Sequence, residues 1–377
     1  MCFVSFYGLY NDNPRYIAEK LHEINPDVEI IWCINKKKSN MIDIPKYAKV
    51  IKMGSLKKLF YQNTSCVIVD NLAGWYSGVA LKKDKESYKS LINRKTLNIS
   101  TWHGTPKKKI GVDAYDSSEY RFSSTTEFLC AASEYEKKIF KNSFIGVENI
   151  IKVGMPRNDL LVNISDAKKN DIKKKFGIES DKKVVLYAPT YRDEKESNFY
   201  MNDYTYGLDI KRLIGNLKEK FGGDWVFIFR GHQFDQSKSS FVEFCRQLDT
   251  EIIDGNIYDD MAEYLSVSDV LITDYSGSLF DFALTKRPCF LYTPDLEHYF
   301  NSERGVYSVE VPYEYNITND QLEECINGFE KGIYERKLMA FNKNIGAITD
   351  GKSSERIALA INRYIITGDF CFEHKDN

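Results

Sequence analysis

The chain has 377 residues, 43% of them apolar and 28% charged, and a net charge of −2, a composition typical of a soluble globular protein with about two domains. It contains no apolar run long enough to span a membrane, no signal-peptide pattern at its N-terminus, and no zinc-finger or RNA-binding motif around its lysines. The first 150 residues hold 23 Lys and Arg against 16 Asp and Glu, which indicates a polyanionic or membrane-surface partner on that side, or ordinary surface variation.

In the first half of the chain, short β-branched runs alternate with helical patterns. Asn13-Pro14 is typical of a helix start, with Asn13 as the cap, and the apolar residues from Tyr16 to Ile24 have helical spacing. Strands are predicted at 28–34, 66–69, 95–100 and 128–132. This alternation predicts a largely parallel sheet covered by helices.

The same order restarts after the segment 154–159. A polar helix is predicted at 168–176 and a closing helix at 354–366. Between them, strands are predicted at 183–188, 225–229, 270–273 and 289–292. We therefore predict an α/β protein of two doubly wound, Rossmann-type domains that face a cleft. The expected parts are an N-terminal domain at 1–155, a C-terminal domain at 156–350, and a closing helix and tail at 351–377.

The most informative stretch runs from Ser100 to Gly111. It places His103 where a predicted strand ends and a glycine-bearing turn begins, and three lysines follow at once. Ligands and catalytic groups gather at such strand ends in open α/β sheets. His103 is therefore either a functional group beside an anion or part of a structural turn with a solvated lysine run.

Three strand ends in the second half carry polar groups that suit a nucleoside diphosphate. The first is Pro189-Thr190, the second Arg230-Gly231-His232, and the third Ser276-Gly277 with Asp281 one turn later. Arginine and histidine donate charged hydrogen bonds to phosphate oxygens, and a helix start offers free N–H groups. Asp281 is expected to accept hydrogen bonds from ribose hydroxyls. The alternative is that Ser276 is only a helix cap.

Two further patterns indicate structural roles. Gly346 to Ser353 matches the phosphate-loop pattern, but no good strand precedes it, so we predict a loop that caps the last helix. The eight cysteines lie far apart, without zinc or thioredoxin spacing, and are expected to be reduced core residues of a cytosolic protein.

Taken together, these motifs resemble the CDP-glycerol glycerophosphotransferase family of teichoic acid and capsule synthesis, a family of the GT-B type. The resemblance covers nearly the whole chain. It rests on Asn13-Pro14, Trp102 to Pro106, Lys109 to Gly111, Gly154 to Asp159, Ala188 to Asp193, Arg230 to His232, Tyr258 to Asp260, Thr273 to Ser276 and Phe280-Asp281. Two departures occur: Gln233 stands where the family usually has proline, and Gly277 where it often has a second serine.

The resemblance implies transfer of glycerol phosphate from CDP-glycerol to a hydroxyl, with release of CMP. No metal or other cofactor is expected, because no Asp-x-Asp pair follows a strand in the cleft motifs; the acidic pair Asp259-Asp260, at a predicted helix start, weakens this expectation. The resemblance assigns catalysis to His103 and His232. It also implies two groups of contacts: to the donor by Arg157, Pro189, Thr190, Arg230, Gly231, His232, Ser276, Gly277 and Asp281, and to the acceptor or its turn by Trp102, Gly104, Thr105 and Pro106.

The expected partners are CDP-glycerol, a lipid-linked or glycan acceptor and an anionic membrane surface, but no nucleic acid. The expected location is cytoplasmic, at the inner face of the cell membrane. Three alternatives stay open: a CDP-ribitol donor, a sugar-nucleotide glycosyltransferase of the same fold, and a noncatalytic membrane-surface or glycan-binding scaffold. The identity of the acceptor, single or repeated transfer, and the oligomeric state are left open by the sequence.

Overall fold

The computed structural model describes residues 1–37, 43–72, 96–114, 126–144, 146–190, 206–231, 251–301 and 305–372. The first part of the chain forms a seven-stranded sheet in the spatial order β3-β2-β1-β4-β5-β6-β7, and all neighbouring strands in it are parallel. The strands are β1 Cys2–Phe3, β2 Ile31–Ile34, β3 Lys49–Lys52, β4 Val67–Asp70, β5 Leu97–Ser100, β6 Phe128–Ala131 and β7 Asn149–Lys152.

The second part forms a six-stranded parallel sheet in the order β10-β9-β8-β11-β12-β13. Its strands are β8 Lys183–Tyr187, β9 Trp225–Phe229, β10 Ile252–Asp254, β11 Val270–Thr273, β12 Cys289–Tyr292 and β13 Tyr315–Asn316. The central strands of both sheets are buried along their length. They read as continuous apolar runs because helices cover both faces of a parallel sheet.

Helices connect the strands across the faces of each sheet. Several begin at a side-chain cap, as where Ser133 Oγ accepts a hydrogen bond from the N–H of Glu136 at 3.1 Å. The helices are α1 Asp12–Ile24, α2 Leu56–Thr64, α3 Glu134–Ser143, α4 Asn158–Asn163, α5 Asp166–Lys175, α6 Ile210–Phe221, α7 Met261–Val267, α8 Ser278–Ala283, α9 Leu296–Phe300, α10 Asn319–Asn327, α11 Lys331–Asn344 and α12 Ser353–Thr367, with a 3-10 turn at Gly111–Asp113.

The last helix returns to the first domain. Ile357, Ala358 and Ile361 of α12 are buried in the same core cluster as Ile17 and Leu21 of α1. The closing helix was predicted from its apolar spacing, and its packing ties the end of the chain to its beginning. The predicted domain boundary at residue 155 falls between β7 and α4.

The phosphate-loop pattern lies in the connection between α11 and α12, with a helix rather than a strand before it. Asp159 occupies the start of α12, where its carboxylate accepts the N–H groups of Ser353 at 2.9 Å and Ser354 at 2.7 Å. A side-chain carboxylate therefore already fills the position that a phosphate would take. The loop caps the last helix, as the sequence predicts.

The structure corrects two other predictions. Asn11, not Asn13, occupies the N-cap position of helix α1, without a side-chain capping hydrogen bond, and Asn13 instead contacts residues of later loops. Cys2, Cys33, Cys130 and Cys289 are buried, but Cys66 is exposed, so the cysteines are not all core residues. Among the described residues, no helix has the length and apolarity that crossing a bilayer requires.

Candidate active site

The order of the strands points to one place for a ligand. Strand order reverses between β1 and β4 in the first sheet, and between β8 and β11 in the second. Open parallel sheets bind ligands outside the carboxyl ends of the strands at such a point. The loops that follow β1, β8 and β11 line a cavity of about 480 Å³, to which both domains contribute.

Most of the predicted donor residues line this cavity. The lining residues are Phe6, Tyr7, Leu9, Asn11, Asp12, Lys37, His103, Arg157, Ala188, Pro189, Arg230, Gly231, Asn256, Tyr258, Asp259, Asp260, Met261, Ala262, Ser276, Gly277, Ser278 and Asp281. Another cavity, of about 500 Å³, is lined by residues between 289 and 337 and lies against β13, α10 and α11. Strand topology, rather than volume, identifies the first cavity as the site.

His103 follows β5 and is held in one tautomer. Its Nδ1 lies 2.8 Å from the carbonyl oxygen of Asn71. A carbonyl oxygen only accepts, so Nδ1 carries the proton and Nε2 is the basic nitrogen of the neutral ring. The ring packs at 4.1 Å from Trp102 and 5.5 Å from Phe6, measured between ring centres. This arrangement suits a general base at the edge of the cavity.

The turn around His103 has an unusual backbone. Trp102 has a φ of +53° and Gly104 a φ of +144°. Only glycine adopts the second value readily, and a Cβ at position 104 would lie 3.0 Å from Nη2 of Arg157. The tight turn directs His103 into the cavity while its neighbours pack into the protein.

Arg157 is the centre of a buried ion network that joins the two domains. Its Nη1 donates to Asp12 Oδ1 at 2.6 Å and to the carbonyl oxygen of His103 at 2.8 Å. Its Nη2 donates to Asp281 Oδ2 at 2.7 Å. Burial alone would lower the pKa of Arg157, but the two carboxylates outweigh it and raise that pKa above its ordinary value. The guanidinium therefore stays charged and is shared between Asp12 and Asp281.

The same network extends to the residue that orients His103. Asn71 donates from its side-chain amide to Asp12 Oδ2 at 2.6 Å, and its Oδ1 accepts the N–H of Phe6 at 2.8 Å. Its carbonyl oxygen is the partner of His103. The loops after β1, β4 and β5 are thus connected by direct hydrogen bonds. Asn71 thus orients His103 directly, and Asp12 does so indirectly, through Asn71.

On the second domain, the loops after β8 and β11 are bonded to each other. Thr190 donates from its backbone N–H at 2.9 Å and from its hydroxyl at 2.6 Å to Asp274 Oδ1. Ser276 Oγ accepts the N–H of Ser278 at 3.3 Å, where the short helix α8 begins. A Cβ at position 277 would lie 3.1 Å from the carbonyl oxygen of Thr105. Glycine at this position therefore allows the close approach of the two domains.

Arg230 lines the cavity, and its guanidinium also holds a neighbouring loop. Nη1 donates to the carbonyl oxygen of Tyr258 at 2.8 Å, and Nη2 to that of Asp259 at 3.0 Å. Nη1 also donates to the carbonyl oxygen of Gly255. Asp281 likewise accepts from Asn158 at 2.8 Å in addition to Arg157. Donor binding by Arg157, Arg230 and Asp281 stays a prediction, and all three also have structural partners.

The structure places the other predicted residues as follows. His232 lies outside the described residues. Trp102, Thr105 and Pro106 are buried, and Trp102 packs on Phe140 and Phe144. These positions shape the turn, and the acceptor role predicted for them with Gly104 stays untested.

The lysine run beside His103 contacts the second domain. Lys107 donates from Nζ to the carbonyl oxygen of Val309 at 3.2 Å, and its burial lowers its pKa to about 8. Lys108 Nζ lies 4.5 Å from the centre of the Tyr299 ring. Lys107 and Lys108 thus have partners in the second domain, and the expectation of an anion beside His103 stays a prediction.

Asp260 belongs to the acidic pair 259–260, which weakens the expectation that no metal is needed. In the structure its Oδ1 caps α7 by accepting the N–H of Ala262 at 2.8 Å, and its Oδ2 lies 3.4 Å from Nη1 of Arg15. Burial raises the pKa of Asp260 to about 6, although Arg15 opposes this. Among the described residues, no group of three or more His, Cys, Asp or Glu side chains is arranged to hold a metal ion.

Among the residues that sequence reasoning missed are Phe6, Tyr7, Asp12 and Lys37, which line the cavity, and Asn71, which contacts His103. Each follows a strand of the first sheet, or begins the helix after it, at the same edge as His103. Asp70-Asn71 directly after the apolar run 67–69 is a signal of the same kind as Ser100 to His103. Strand β1 is only two residues long and was not predicted, so no pattern marked Phe6 and Tyr7 as residues that follow a strand.

Comparisons with known proteins show what the chain is similar to. The family model described as CDP-Glycerol:Poly(glycerophosphate) glycerophosphotransferase matches residues 1–363. A teichoic acid poly(glycerol phosphate) polymerase of Staphylococcus epidermidis is 29% identical over 96% of this chain and 50% of that protein. A protein of the same name from Bacillus spizizenii is 30% identical over 94% of this chain and 90% of that protein. The chain thus spans about half the length of the first relative and nearly all of the second.

A solved structure shares the fold. The wall teichoic acid polymerase TagF superposes with a TM-score of 0.76 and 27% identity, covering 97% of this chain and 89% of that one. The predicted fold class, two doubly wound domains of the GT-B type facing a cleft and closed by a C-terminal helix, is confirmed by the two sheets and by this match.

Proposed function

Because the chain belongs to the CDP-glycerol:poly(glycerophosphate) glycerophosphotransferase family, we propose that it transfers glycerol phosphate from CDP-glycerol to a hydroxyl of a teichoic-acid-type or capsular glycan acceptor. The observation that carries this proposal is His103, whose Nδ1 bond to Asn71 leaves Nε2 as the basic nitrogen beside the cavity between the domains. CMP is the expected leaving group. The reaction needs a base for the acceptor hydroxyl, and hydrogen-bond donors and positive charge for the diphosphate.

In the proposed reaction, Nε2 of His103 takes the proton of the acceptor hydroxyl. The acceptor oxygen forms a bond to the β-phosphorus of CDP-glycerol, and the bond from that phosphorus to the bridging oxygen breaks. The electron pair leaves with the CMP phosphate. Positioning and charge stabilisation supply most of the rate in phosphoryl transfer, and a well-placed base contributes about 10²–10⁴-fold.

The donor side of the proposed site is the second domain. Backbone N–H groups near Ser276 and Gly277 and the charge of Arg230 lie at the cavity, where a diphosphate needs donors. We propose that Pro189, Thr190 and Gly231 shape this wall, and that His232 stabilises the diphosphate charge. We propose that Arg157 and Asp281 support the donor wall indirectly, because their charges are paired with each other.

The direct test is to incubate the protein with CDP-glycerol or CDP-ribitol and a teichoic-acid-type acceptor, and to follow CMP by mass spectrometry. We expect CMP only in the presence of acceptor and a higher rate with CDP-glycerol. EDTA should not abolish the rate, since we propose catalysis without a metal. Release of a nucleoside diphosphate from a sugar nucleotide would instead show a glycosyltransferase. Binding without any turnover would show a scaffold.

We also propose that the protein works at an anionic membrane surface through helix α2. On this helix the side chains of Leu56 and Phe60 are 84% and 61% exposed, and Lys57 beside them is exposed as well. Lys58 is half-buried. Two further lysines of the basic first half, Lys82 and Lys83, are also expected at this surface, but they lie outside the described residues. Exposed apolar residues next to lysines are typical of a helix that lies on a lipid surface. Such attachment is consistent with a peripheral location at the inner face of the cell membrane.

Sedimentation with phosphatidylglycerol-containing vesicles tests this membrane face. We expect binding at low salt that weakens as salt screens the lysines, each worth about 1 kcal/mol near the surface. Leu56→Ser and Lys57→Glu should each reduce the bound fraction. The matched controls are Met339→Ser, which changes a residue 61% exposed on α11, and Lys168→Glu on α5. Equal losses in the variants and their controls would remove α2 from the membrane face.

A further inference from the structure

The first-domain wall of the cavity has a composition that the donor does not explain. Phe6, Tyr7 and Leu9 from the loop after β1 line it, together with Lys37 from the loop after β2. Phe6 and Tyr7 are half-buried and Lys37 is exposed. An aromatic surface beside a cation suits a ligand that carries both apolar C–H groups and negative charge.

The loop that carries the two aromatic residues is firmly built. Phe6 has a φ of +39°, a conformation that residues with side chains rarely adopt. It is held there by the hydrogen bond from its N–H to Asn71 Oδ1 at 2.8 Å. Strained backbone that surrounding contacts maintain is concentrated at functional sites.

The two loops of this wall are also fixed to each other. Asn35 donates from its N–H to the carbonyl oxygen of Gly8 at 2.8 Å, and its side chain accepts the N–H of Lys37 at 3.2 Å. Gly8 has a φ of +95°, and a Cβ there would lie 2.5 Å from the nitrogen of Asn35. The position of Lys37 relative to Phe6 and Tyr7 is therefore set by backbone contacts.

Lys37 differs from the two arginines of the cavity. The charge of Arg157 is balanced by Asp12 and Asp281, and Arg230 donates to three backbone carbonyls. Lys37 is an exposed cation on the first-domain side of the cavity, which His103 also lines. The ring of Phe6 lies 5.5 Å from that of His103, so a chain resting on this wall ends beside the base.

We propose that Phe6, Tyr7 and Lys37 form the acceptor subsite, which recognises a polyol chain bearing phosphodiesters. The polyol carbons would lie on the aromatic rings, and a phosphodiester of the acceptor would pair with Lys37. This inference rests on the proposed function, since it names the substrate class for the other half of the same cavity. The acceptor role predicted for Trp102, Gly104, Thr105 and Pro106 stays untested, and all of these residues except Gly104 are buried.

The test measures binding directly, without turnover. A fluorescent glycerol phosphate oligomer, a neutral polyol of the same length and inorganic phosphate are titrated against the whole chain, the oligomer by anisotropy and the other two by competition. We expect Lys37→Gln to weaken oligomer binding about fivefold and Phe6→Leu about threefold. The control Lys36→Gln changes an exposed neighbour that does not line the cavity, and it should leave binding unchanged.

Three results would overturn the subsite. They are an equal loss in Lys36→Gln, a neutral polyol that competes as well as the oligomer, or inorganic phosphate that competes as well as the oligomer. In assays of CMP release, Lys37→Gln should raise the KM for the acceptor and leave the KM for CDP-glycerol unchanged. If the wild-type chain releases no CMP but binds the oligomer through Lys37, the proposed reaction fails while the subsite stands.

Discussion

Replacing His103 with alanine is expected to lower kcat at least about a hundredfold, the usual contribution of a positioned general base. Binding of CDP-glycerol should persist, because the proposed donor wall lies on the second domain. The measurements are CMP release at saturating acceptor and calorimetric titration with CDP-glycerol. Near-full turnover in His103→Ala would show that another group takes the proton.

Two further variants separate the chemistry from the structure around it. His103→Asn keeps an N–H that can donate to the carbonyl oxygen of Asn71, but it has no basic nitrogen, so it should be as inactive as His103→Ala. His298 is an exposed histidine on α9, and His298→Ala should retain wild-type turnover. If His103→Asn were active, the role of His103 would be to hold the loop after β4.

The sequence predicts most of the fold because the central strands are long apolar runs. The strands 183–187, 225–229, 270–273 and 289–292 agree closely with their predictions, and so does the closing helix α12. Because both faces of such strands are buried, they can be predicted from a continuous apolar run, without alternation of apolar and polar residues. Strand β1 was missed because Cys2–Phe3 is only two residues long. Its place at the centre of the sheet is a property of topology, which one sequence does not display.

The site was predicted unevenly for a similar reason. His103 could be found because strand, histidine and glycine turn are adjacent in the chain. Asp12 could not be found, since it pairs with Arg157, which lies 145 residues later. Lys37 gave no distinct signal within its lysine run, and only the fold brings it to the cavity. Functional residues that are neighbours in the chain can be recognised in a sequence. Partners that come together only through the contact between two domains cannot.

Replacing Arg157 with methionine is expected to destabilise the protein by about 3–5 kcal/mol, the usual cost of removing one partner from a buried ion pair. Methionine keeps much of the volume but leaves the carboxylates of Asp12 and Asp281 buried without their cation. These side chains are 4% and 5% exposed, so water compensates little. Urea unfolding followed by fluorescence measures the loss. The control is Arg356→Met, which breaks a surface pair with Asp350 and should cost less than about 1 kcal/mol.

The part of this destabilisation that comes from buried charge can be measured separately by removing the carboxylates of Asp12 and Asp281 as well. The triple variant Arg157→Met, Asp12→Asn, Asp281→Asn leaves no charge on these three positions, so part of the lost stability should return. If the triple variant is no more stable than Arg157→Met alone, the cost comes from lost packing and hydrogen bonds rather than from buried charge. Loss of Arg157 should also lower turnover, because its Nη1 holds the carbonyl oxygen of His103 at 2.8 Å. The buried ion network would then link the stability of the domain contact to the position of the base.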